Sequence, residues 1–256
     1  MDNSEKNTNI IPMLDRGLRL IEELYEMRVP MGISELSRKM QLPKATIYRL
    51  LYTLEKNGYV EQDLITEKYE LGNAFVKLGQ YVKATMDINV LAKPEMKLLA
   101  GITGETAYLC KTYYDEALVM ETVSGEASAL YSMVTPTIPL YCSALGRVLL
   151  AGFSDEALKK YLYENGFKKR TINTKTENED LLTEILKIKK EEIAIEKEEY
   201  EYGMTCLAGP IYDISGNIIA SLSVSGPTTR IEYKGMEKII EEVKNTCKKI
   251  SAKIKI

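Results

Sequence analysis

The sequence predicts an α+β protein with a winged helix-turn-helix at the N-terminus and a larger C-terminal domain, built on an antiparallel sheet with flanking helices. Three observations predict it. Two short amphipathic segments flank Pro43 and end at Asn57-Gly58, a typical stop signal for a helix. Two short alternating runs follow them, as in a β-hairpin. Further along, strand-like runs lie between helical segments, which is typical of a sheet covered by helices.

The helix-turn-helix prediction rests on two short helices and the proline between them. Ser34 is expected to cap the shorter of these two helices, over residues 35–40, because its hydroxyl can accept a hydrogen bond from a free amide. Pro43 ends that helix and suits the first turn of the next one. The second helix places one apolar stripe toward Leu36 and Met40. The residues of this stripe are Ile47, Leu50, Leu51 and Leu54.

The opposite face of the second helix offers cations, hydroxyl groups and aromatic rings, which suits a DNA groove. Residues 28–60 hold six basic and two acidic side chains, whereas the whole chain has a net charge of −3. DNA binding is therefore preferred to a plain helical hairpin with a solvated face. Arg49 is expected to contact a guanine edge or a phosphate, and Lys44 and Lys68 to contact phosphates. The predicted DNA-binding residues are Ser34, Lys44, Ala45, Thr46, Tyr48, Arg49, Tyr52 and Lys68.

A wing and a first helix complete the predicted DNA-binding domain, which spans residues 1–72. The wing is a β-hairpin in which residues 59–62 and 68–71 alternate around a short loop. The first helix covers residues 11–27, where apolar side chains fall at helical spacing. These side chains are Leu14, Leu18, Ile21, Leu24 and Tyr25.

The composition limits the class of protein. With 256 residues, 45% of them hydrophobic and 28% charged, the chain suits one large or two modest globular domains. It has no apolar run of the roughly 18 residues that a membrane span needs. Its N-terminus lacks the basic-then-apolar layout of a secretion signal. We therefore expect a cytoplasmic protein without membrane contact.

The chain lacks histidine, which removes Ser-His and Cys-His nucleophile pairs and the commonest metal ligand. The four cysteines are scattered, with no close pair at zinc spacing, so reduced thiols are expected. No metal or other cofactor is predicted. The cysteines are Cys110, Cys142, Cys206 and Cys247.

A connector helix is predicted within residues 73–87. On a lone helix, the apolar side chains of Phe75, Leu78, Tyr81 and Val82 would need a covering surface. The same helix of a second subunit is preferred to the chain's own domain, because operator half-sites usually mirror a two-fold axis of the protein. A homodimer or homotetramer is therefore expected.

The second domain is predicted over residues 88–256. It opens with a helix over 90–102 and continues with paired strands over 106–113 and 116–123, then a weaker strand over 130–136. The later predicted elements are an extended stretch and short apolar helix over 138–151, amphipathic helices over 155–165 and 177–197, a β-hairpin over 206–213 and 217–225, and a last helix over 233–256.

Short motifs occur in both halves of the chain. In the N-terminal half they are ISEL at 33–36, PKATIYRLL at 43–51 and YELG at 69–72. In the C-terminal half they are PLYCSALGRVLLA at 139–151, EE at 198–199, GMTCLAGP at 203–210 and SVSGP at 223–227. In this order and spacing they resemble the IclR family of bacterial transcription regulators, over nearly the whole chain.

The resemblance implies a winged helix-turn-helix, a connector helix and a GAF-like effector domain, assembled as dimers or tetramers. It also implies that the second domain binds a small organic acid or an aromatic compound and thereby changes operator binding. Carried over residue by residue, the family's pocket falls on the backbone of Ala144 and Leu145 beside Gly146, and on Glu196, Met204, Cys206, Ser223 and Ser225.

The residues themselves support part of this pocket. Ser143 to Gly146 precede a short helix, whose free amides and positive dipole end can hold a carboxylate. Ser223 and Ser225 share one face of a strand, and Cys206 can pack on an aliphatic portion of a ligand. Plainer alternatives stay open: Ser143 as a helix cap only, Cys206 as core, and the two serines as the solvated side of a strand.

The sequence departs from the family's pattern at three positions. Glu196 stands where an Asp is common, Arg147 where a Lys is common, and Tyr141 where a His is common. The longer Glu196, together with Met204, changes the size of the pocket, so the family's best-known ligands do not transfer directly.

Three hypotheses of function compete. A ligand-responsive DNA-binding regulator is preferred, with repression favoured over activation. An enzyme would use Cys206 or Ser143 as nucleophile and Glu196 or Glu199 as base, but the chain lacks histidine and the glycine patterns of hydrolase elbows, phosphate loops and dinucleotide sites. In the third hypothesis the second domain only assembles subunits, and operator binding is then identical with every metabolite.

Overall fold

The computed structural model describes residues 10–126 and 136–254 of the chain. The chain forms two compact units, the first ending at Ala84 and the second beginning at Thr85. The elements up to the end of the first unit are α1 (Pro12–Met27), α2 (Ile33–Met40), α3 (Lys44–Lys56), β1 (Val60–Gln62), β2 (Tyr69–Leu71) and α4 (Ala74–Thr85).

In the first unit, helices α1, α2 and α3 pack around one hydrophobic cluster. The predicted apolar stripe of α3 faces inward, since Ile47 and Leu51 are fully buried and Leu50 is 7% exposed. These side chains pack with Leu20 of α1 and Leu36 of α2. Burying an aliphatic side chain of this size stabilises a fold by about 1.5–3 kcal/mol. These contacts therefore hold the helices together and leave the opposite face of α3 exposed.

The predicted wing is present as the antiparallel pair of β1 and β2, with Val60 opposite Leu71. Asp63 organises the turn between them, because its Oδ1 accepts hydrogen bonds from the amides of Thr66 and Ile65 at 2.7 and 2.9 Å. These bonds, that of the Thr66 amide first, hold the pKa of Asp63 below its ordinary value. The prediction of a helix-turn-helix with a wing is confirmed.

The predicted N-cap of α2 is wrong. The helix begins at Ile33 with Gly32 as its N-cap, so Ser34 lies inside the first turn and is exposed. Glu35 explains the earlier start, because its Oε2 accepts a hydrogen bond from the Gly32 amide at 2.8 Å. Glu35 thus satisfies the amide that precedes the helix, whereas Ser34 was expected to accept from an amide inside it.

In the residues that the structure describes, twelve elements follow α4. They are α5 (Asp87–Thr103), β3 (Thr106–Tyr113), β4 (Glu116–Val123), β5 (Thr137–Pro139), α6 (Ala144–Ala151), α7 (Asp155–Glu164), α8 (Asn178–Glu191), β6 (Ala194–Lys197), β7 (Met204–Tyr212), β8 (Ile218–Pro227), α9 (Thr228–Lys234) and α10 (Met236–Lys253).

A six-stranded antiparallel sheet forms the centre of the second unit, with the strand order β5-β4-β3-β8-β7-β6. Helices α5 and α10 pack on one face of the sheet, and α6 packs on the other, where α8 lies against α6. Each face has its own hydrophobic cluster. The predicted α+β class, with an antiparallel sheet and flanking helices, is confirmed.

One predicted helix ends early and is followed by a strand. The prediction of a single helix over residues 177–197 is wrong, because α8 ends at Glu191 and Ala194–Lys197 form β6. Glu192 turns the chain between them through a left-handed backbone with φ 55°. The sequence of β6 continues the mixture of charged and apolar residues found in α8, so its strand conformation depends on pairing with β7.

The C-terminal helix is also divided. Instead of one helix over residues 233–256, α9 and α10 meet at Gly235, whose φ of 88° is available to glycine at little cost. The weaker strand predicted over residues 130–136 falls outside the described residues, except for Pro136. The carbonyl of Pro136 accepts a hydrogen bond from the Val119 amide of β4 at 2.9 Å.

Helix α6 lies in close contact with the backbone that precedes it. A Cβ added to Gly146 would fall 2.3 Å from the Cα of Leu140, where no side-chain atom fits. Glycine therefore lets the first turn of α6 approach the loop to backbone contact distance. This contact helps to position the N-terminus of α6 on the sheet face that it covers.

Alanine substitutions at two helical glycines test this contact. Gly146→Ala is expected to destabilise the protein by about 1–3 kcal/mol or more, since the new methyl group overlaps the Leu140 backbone. Gly101→Ala in α5 is the matched control, because a Cβ there meets no atom within 4 Å. Alanine at that position should stabilise the helix by about 0.5–1 kcal/mol. Denaturant unfolding followed by circular dichroism measures both, and equal effects would contradict the close contact.

Candidate functional site

A cavity of about 70 Å³ lies between the first residues of α6 and one face of the sheet. Strands β3, β6, β7 and β8 form its floor, and the chain near Ile138 and Tyr200 forms its sides. Seven of the eight predicted effector-binding residues line it, namely Ala144, Leu145, Glu196, Met204, Cys206, Ser223 and Ser225.

Strand pairing brings the polar side chains of the floor to one face of the sheet. Glu196 of β6 pairs with Cys206 of β7, which pairs with Ser225 of β8, so the three side chains lie in one row. The Sγ of Cys206 lies 2.8 Å from the Oγ of Ser225. Ser223 lies two residues away along β8 and therefore points to the same face.

The roof of the cavity is the N-terminus of α6, which Ser143 caps. The Ser143 Oγ accepts a hydrogen bond from the Gly146 amide at 3.1 Å and donates one to the Pro139 carbonyl at 2.7 Å. Within the described ranges, the amides of Ala144 and Leu145 have no acceptor. These two amides and the positive end of the helix dipole can therefore bind an anion in the cavity.

The structure and the predicted pocket differ at a few residues. Gly146 does not line the cavity, because its amide is bound to Ser143 and its Cα faces the Leu140 backbone. Four lining residues were not predicted from the sequence. One of them, Tyr108, could have been found from the alternation along β3, because it pairs with Ser223 and its side chain therefore lies on the same face of the sheet. The others lie in an edge strand or a connection without periodicity, so no pattern marks them. The lining residues that the sequence prediction missed are Tyr108, Ile138, Tyr200 and Glu201.

A buried ion pair anchors α6 behind the cavity. Arg147 has only 1% of its surface exposed, and its guanidinium binds both carboxylate oxygens of Glu199, with the Nη1–Oε1 distance at 2.8 Å. Its Nε also donates to the Tyr141 carbonyl at 2.8 Å. A charge so deeply buried needs such partners. The pair therefore ties α6 to the loop before it and to the segment that follows β6.

The connection of residues 198–203, between β6 and β7, forms one side wall through Tyr200. Glu196 holds this connection, because its Oε1 accepts hydrogen bonds from the amides of Glu199 and Tyr200 at 2.5 and 3.1 Å. Arg170 adds a second restraint, with its guanidinium 4.2 Å from the Tyr200 ring centroid and its Nε 3.0 Å from the Tyr200 carbonyl. The wall is thus fixed by both a side chain of the floor and a distant loop.

Two polar atoms of the floor, Glu196 Oε2 and Ser223 Oγ, are buried without a hydrogen-bond partner among the described residues. Burial raises the pKa of the Glu196 carboxyl above its ordinary value, although hydrogen bonds from the Tyr200 and Glu199 amides offset part of the shift. Burial, and then the neighbouring Glu196, raise the pKa of the Cys206 thiol well above its usual range. The cavity therefore combines amide donors in its roof with unpaired polar oxygens in its floor.

The predicted DNA-binding residues of α3 lie on its exposed side, away from the hydrophobic cluster. Tyr48 and Tyr52 are 53% and 50% exposed, and their rings stack with centroids 6.2 Å apart. The Lys56 ammonium lies 5.4 Å from the centroid of the Tyr52 ring. The other predicted positions on this helix are Lys44, Ala45 and Arg49, which are exposed, and Thr46, which is half-buried.

Ser34 and Lys68 lie on neighbouring elements of the same unit. Ser34 is exposed on α2, and Lys68 comes directly before β2, with its Nζ 3.9 Å from the Glu35 Oε2. An exposed ion pair of this kind contributes only about 0–1 kcal/mol to stability. Lys68 can therefore exchange Glu35 for a phosphate group with little loss.

Comparison with known families identifies the chain. Residues 13–64 match the IclR helix-turn-helix domain, and residues 80–252 match the C-terminal domain of the bacterial transcriptional regulator IclR. The chain belongs to the IclR family. It is therefore a transcription regulator with a helix-turn-helix DNA-binding domain, as the motifs of its sequence indicate.

Individual IclR-family relatives agree with this assignment. The HTH-type transcriptional regulator KdgR of Escherichia coli K12 is 31% identical over 251 residues, covering 98% of this chain and 95% of KdgR. The DNA-binding transcriptional repressor YiaJ of the same strain is 30% identical over 242 residues, covering 93% and 86% of the two chains. An IclR homologue from Microbacterium hydrocarbonoxydans, solved in complex with 4-hydroxybenzoate, shares the fold, with a TM-score of 0.80 at 22% identity over 94% of this chain and 98% of that chain.

Two further findings concern the part of this IclR-family chain that the structure describes. None of its helices there combines the length and the apolar character that crossing a membrane requires. The same residues contain no group of three or more cysteine, aspartate and glutamate side chains placed to hold a metal ion.

A Glu196→Gln variant tests the buried carboxyl. A protein that contains a carboxyl with a raised pKa becomes less stable as the pH rises toward that pKa, because the folded state must then hold a buried charge. Glutamine still accepts the two amide hydrogen bonds but does not ionise. As the pH rises above the ordinary pKa of a glutamate, we expect the variant to gain stability relative to the wild type, by about 1.4 kcal/mol for each tenfold difference in acidity between the folded and unfolded carboxyl.

Thermal unfolding at several pH values measures this difference. Glu191→Gln, at an exposed position at the end of α8, serves as the control and should follow the wild type at every pH. A difference between Glu196→Gln and the wild type that stays constant with pH would contradict the raised pKa.

Proposed function

We propose that this IclR-family regulator is a ligand-responsive repressor whose second unit binds a small carboxylate in the α6 cavity. One observation carries the proposal: two amides without acceptors and two buried oxygens without partners converge on a single cavity among the described residues. Such a cavity, mostly apolar with a few convergent polar groups, is typical of a small-molecule site. The Microbacterium homologue was solved with 4-hydroxybenzoate, a small carboxylate, and YiaJ is a repressor by name.

In this proposal the first unit reads the operator with α3. The exposed side of α3 enters the major groove, where Arg49 contacts a guanine edge or a phosphate. Lys44 at the start of the helix and Lys68 in the wing contact phosphates. The hydrophobic cluster behind α3 holds this face in place, so DNA contact does not require the module to rearrange.

We propose that α4 joins two chains into a dimer, from which a tetramer can form. Leu78, Tyr81 and Val82 are 44%, 69% and 49% exposed on this helix. Phe75 does not belong to this face, because its ring packs against that of Tyr59, with centroids 5.3 Å apart. A ligand in the cavity would bias the relative placement of the two winged modules, provided that it binds one arrangement more tightly.

The enzyme hypothesis has less support than the regulator. Its nucleophile would be Cys206, yet burial and the nearby Glu196 raise the pKa of this thiol and so disfavour the reactive thiolate. The alternative nucleophile, Ser143, already donates its hydroxyl proton to the Pro139 carbonyl. The relatives KdgR and YiaJ are named transcription regulators.

Arg49 is the residue whose loss should weaken DNA binding most directly. We expect Arg49→Ala to weaken binding to the chain's own upstream intergenic DNA by roughly 5- to 150-fold, the value of one good base contact. Arg19→Ala is the matched control, because Arg19 is an exposed arginine on α1, outside the DNA-facing side of α3. Fluorescence anisotropy at fixed salt measures both, since affinity depends steeply on salt. Equal losses in the two variants would contradict the assignment of α3.

Ala144→Pro removes one amide donor from the roof while preserving the helix. Ala144 is the first residue of α6, where proline is well tolerated, and Ser143 before it has the extended backbone that proline requires (ψ 147°). We expect the variant to fold and to lose at least about tenfold in affinity for any carboxylate that the wild type binds. Calorimetric titration with 2-oxo acids, sugar acids and aromatic acids measures this.

Asp155→Pro is the matched control for this variant. It places proline at the first residue of α7, after Ser154 with a similar backbone (ψ 156°), and away from the cavity lining. Carboxylate binding should be unchanged in Asp155→Pro. Unchanged binding in Ala144→Pro as well would contradict the assignment of the carboxylate to α6.

A further inference from the structure

We infer that the tip of the wing is an apolar wedge that enters the minor groove of the operator and kinks the DNA. This apolar tip consists of Leu64 and Ile65, in the turn between β1 and β2. The inference rests on the proposed DNA binding by the first unit and adds a second contact of different chemistry. The apolar tip deforms the DNA, whereas Lys68 behind it contacts a phosphate.

The apolar tip is unusually exposed. Leu64 and Ile65 are the most exposed large apolar side chains that the structure describes, each with 93% of its surface accessible. Neither is a member of the hydrophobic cluster that the described residues of the first unit form. Turns are mostly built from Gly, Pro, Asn, Asp and Ser. Two adjacent aliphatic side chains at the end of a hairpin therefore indicate a contact surface.

The turn is held without help from its apolar side chains. Asp63 Oδ1 accepts hydrogen bonds from the amides of Ile65 and Thr66 and from the Thr66 hydroxyl, at 2.9, 2.7 and 2.9 Å. Two backbone hydrogen bonds of 2.9 Å, from Glu67 to Asp63 and from Asp63 to Lys68, close the turn. The backbone of the apolar tip is thus ordered before DNA binds, so that little ordering is required on contact.

The charges of the wing disfavour a contact along the phosphate backbone. Residues 60–71 hold four acidic side chains and one basic side chain. Glu61 and Glu70 lie opposite each other within the paired strands, away from the apolar tip. The Asp63 Oδ1 is bound within the turn. Phosphates therefore repel the strands, and the uncharged apolar tip is the part of the wing that suits the bases.

The wing lies beside the DNA-facing side of α3. Strand β1 begins three residues after α3 and packs against it. Burial raises the pKa of Tyr69 in β2, and Glu55 and Tyr48 of α3 raise it further, so these side chains lie near the wing. The apolar tip begins four residues beyond the buried Val60, up to about 13 Å away. This length matches the width of a major groove, roughly 12 Å, and suits a tip that reaches the adjacent minor groove.

A DNA groove suits the apolar tip better than a protein surface does. A stable protein interface uses about 20–30 residues on each side, whereas the apolar tip offers two. A wedge needs no more than one or two aliphatic side chains, and leucine and isoleucine are among those that proteins insert between base steps of the minor groove. Burial of the two side chains against the bases offsets part of the cost of unstacking them.

Replacing both side chains by serine tests the wedge. The wild type is expected to bend the chain's own upstream intergenic DNA by roughly 20–90°, as other apolar wedges do. The double variant Leu64→Ser, Ile65→Ser is expected to lose this bend and to bind roughly tenfold or more weakly. Electrophoresis of circularly permuted DNA fragments measures the bend, and fluorescence anisotropy measures the affinity. A wild type that binds but leaves the DNA straight, or a double variant that bends it equally, overturns the inference.

Two control variants accompany the double variant. Exchange of the two residues, Leu64→Ile with Ile65→Leu, keeps the apolar surface and should keep the bend. Ile214→Ser changes a similar turn of the second unit, between β7 and β8, where Ile214 is 63% exposed and Asp213 Oδ1 accepts the amides of Ser215 and Asn217 at 2.8 and 2.9 Å. It should leave the bend intact and change the affinity by less than roughly twofold. Loss of the bend in either control overturns the assignment.

Salt dependence distinguishes the wedge from a phosphate contact. An apolar contact releases no counterions, so the double serine variant is expected to bind more weakly with an unchanged slope of log affinity against log salt. Lys68→Ala, which removes a proposed phosphate contact, should reduce that slope by about 1. A slope that falls equally in the double serine variant overturns the wedge.

Arg49→Ala separates this inference from the proposed function. Selective DNA binding that Arg49→Ala weakens, without a bend that depends on the apolar tip, overturns only the wedge. Absence of sequence-selective binding by the wild type overturns the DNA binding of the first unit, and the wedge with it.

Discussion

The buried ion pair between Arg147 and Glu199 is the interaction on which the candidate site depends. It joins α6, whose N-terminus is the roof of the cavity, to the connection after β6, which is a side wall. The hydrogen bond from Arg147 to the Tyr141 carbonyl also links the loop before α6 to this ion pair. Removing one partner of such a pair leaves an unpaired buried charge and costs about 3–5 kcal/mol. The shape of the cavity is thus tied to the stability of the second unit.

The same arrangement gives the cavity its polarity. The roof presents backbone amides at the positive end of a helix, and the floor presents Glu196 and Ser223, which are buried with one unpaired oxygen each among the described residues. Because Glu196 also holds the amides of Glu199 and Tyr200, a ligand that binds this side chain acts directly on the wall. The same carboxyl would therefore contact the ligand and position the wall, so that binding of a ligand in the cavity would change the conformation of the wall.

Regular, alternating or periodic segments could be predicted from the sequence. Strands β3 and β4 have the predicted bounds, and the α3 stripe is buried as its spacing indicates. The strand β6 could not be predicted, because its charged residues continue the pattern of α8 and its strand form depends on pairing with β7. Likewise, the pairing of Arg147 with Glu199 spans 52 positions of sequence and has no local signal. The wall residue Tyr200 lies in a connection, where no periodicity exists to mark it.

The most direct test of the account is the affinity for operator DNA with and without a bound carboxylate. Fluorescence anisotropy on the chain's own upstream intergenic DNA, at fixed salt, gives both dissociation constants. We predict saturable, sequence-selective binding whose dissociation constant changes by about 5- to 150-fold when a carboxylate occupies the α6 cavity. An operator affinity that stays the same while calorimetry shows the cavity occupied would contradict it, and the second unit would then serve assembly alone.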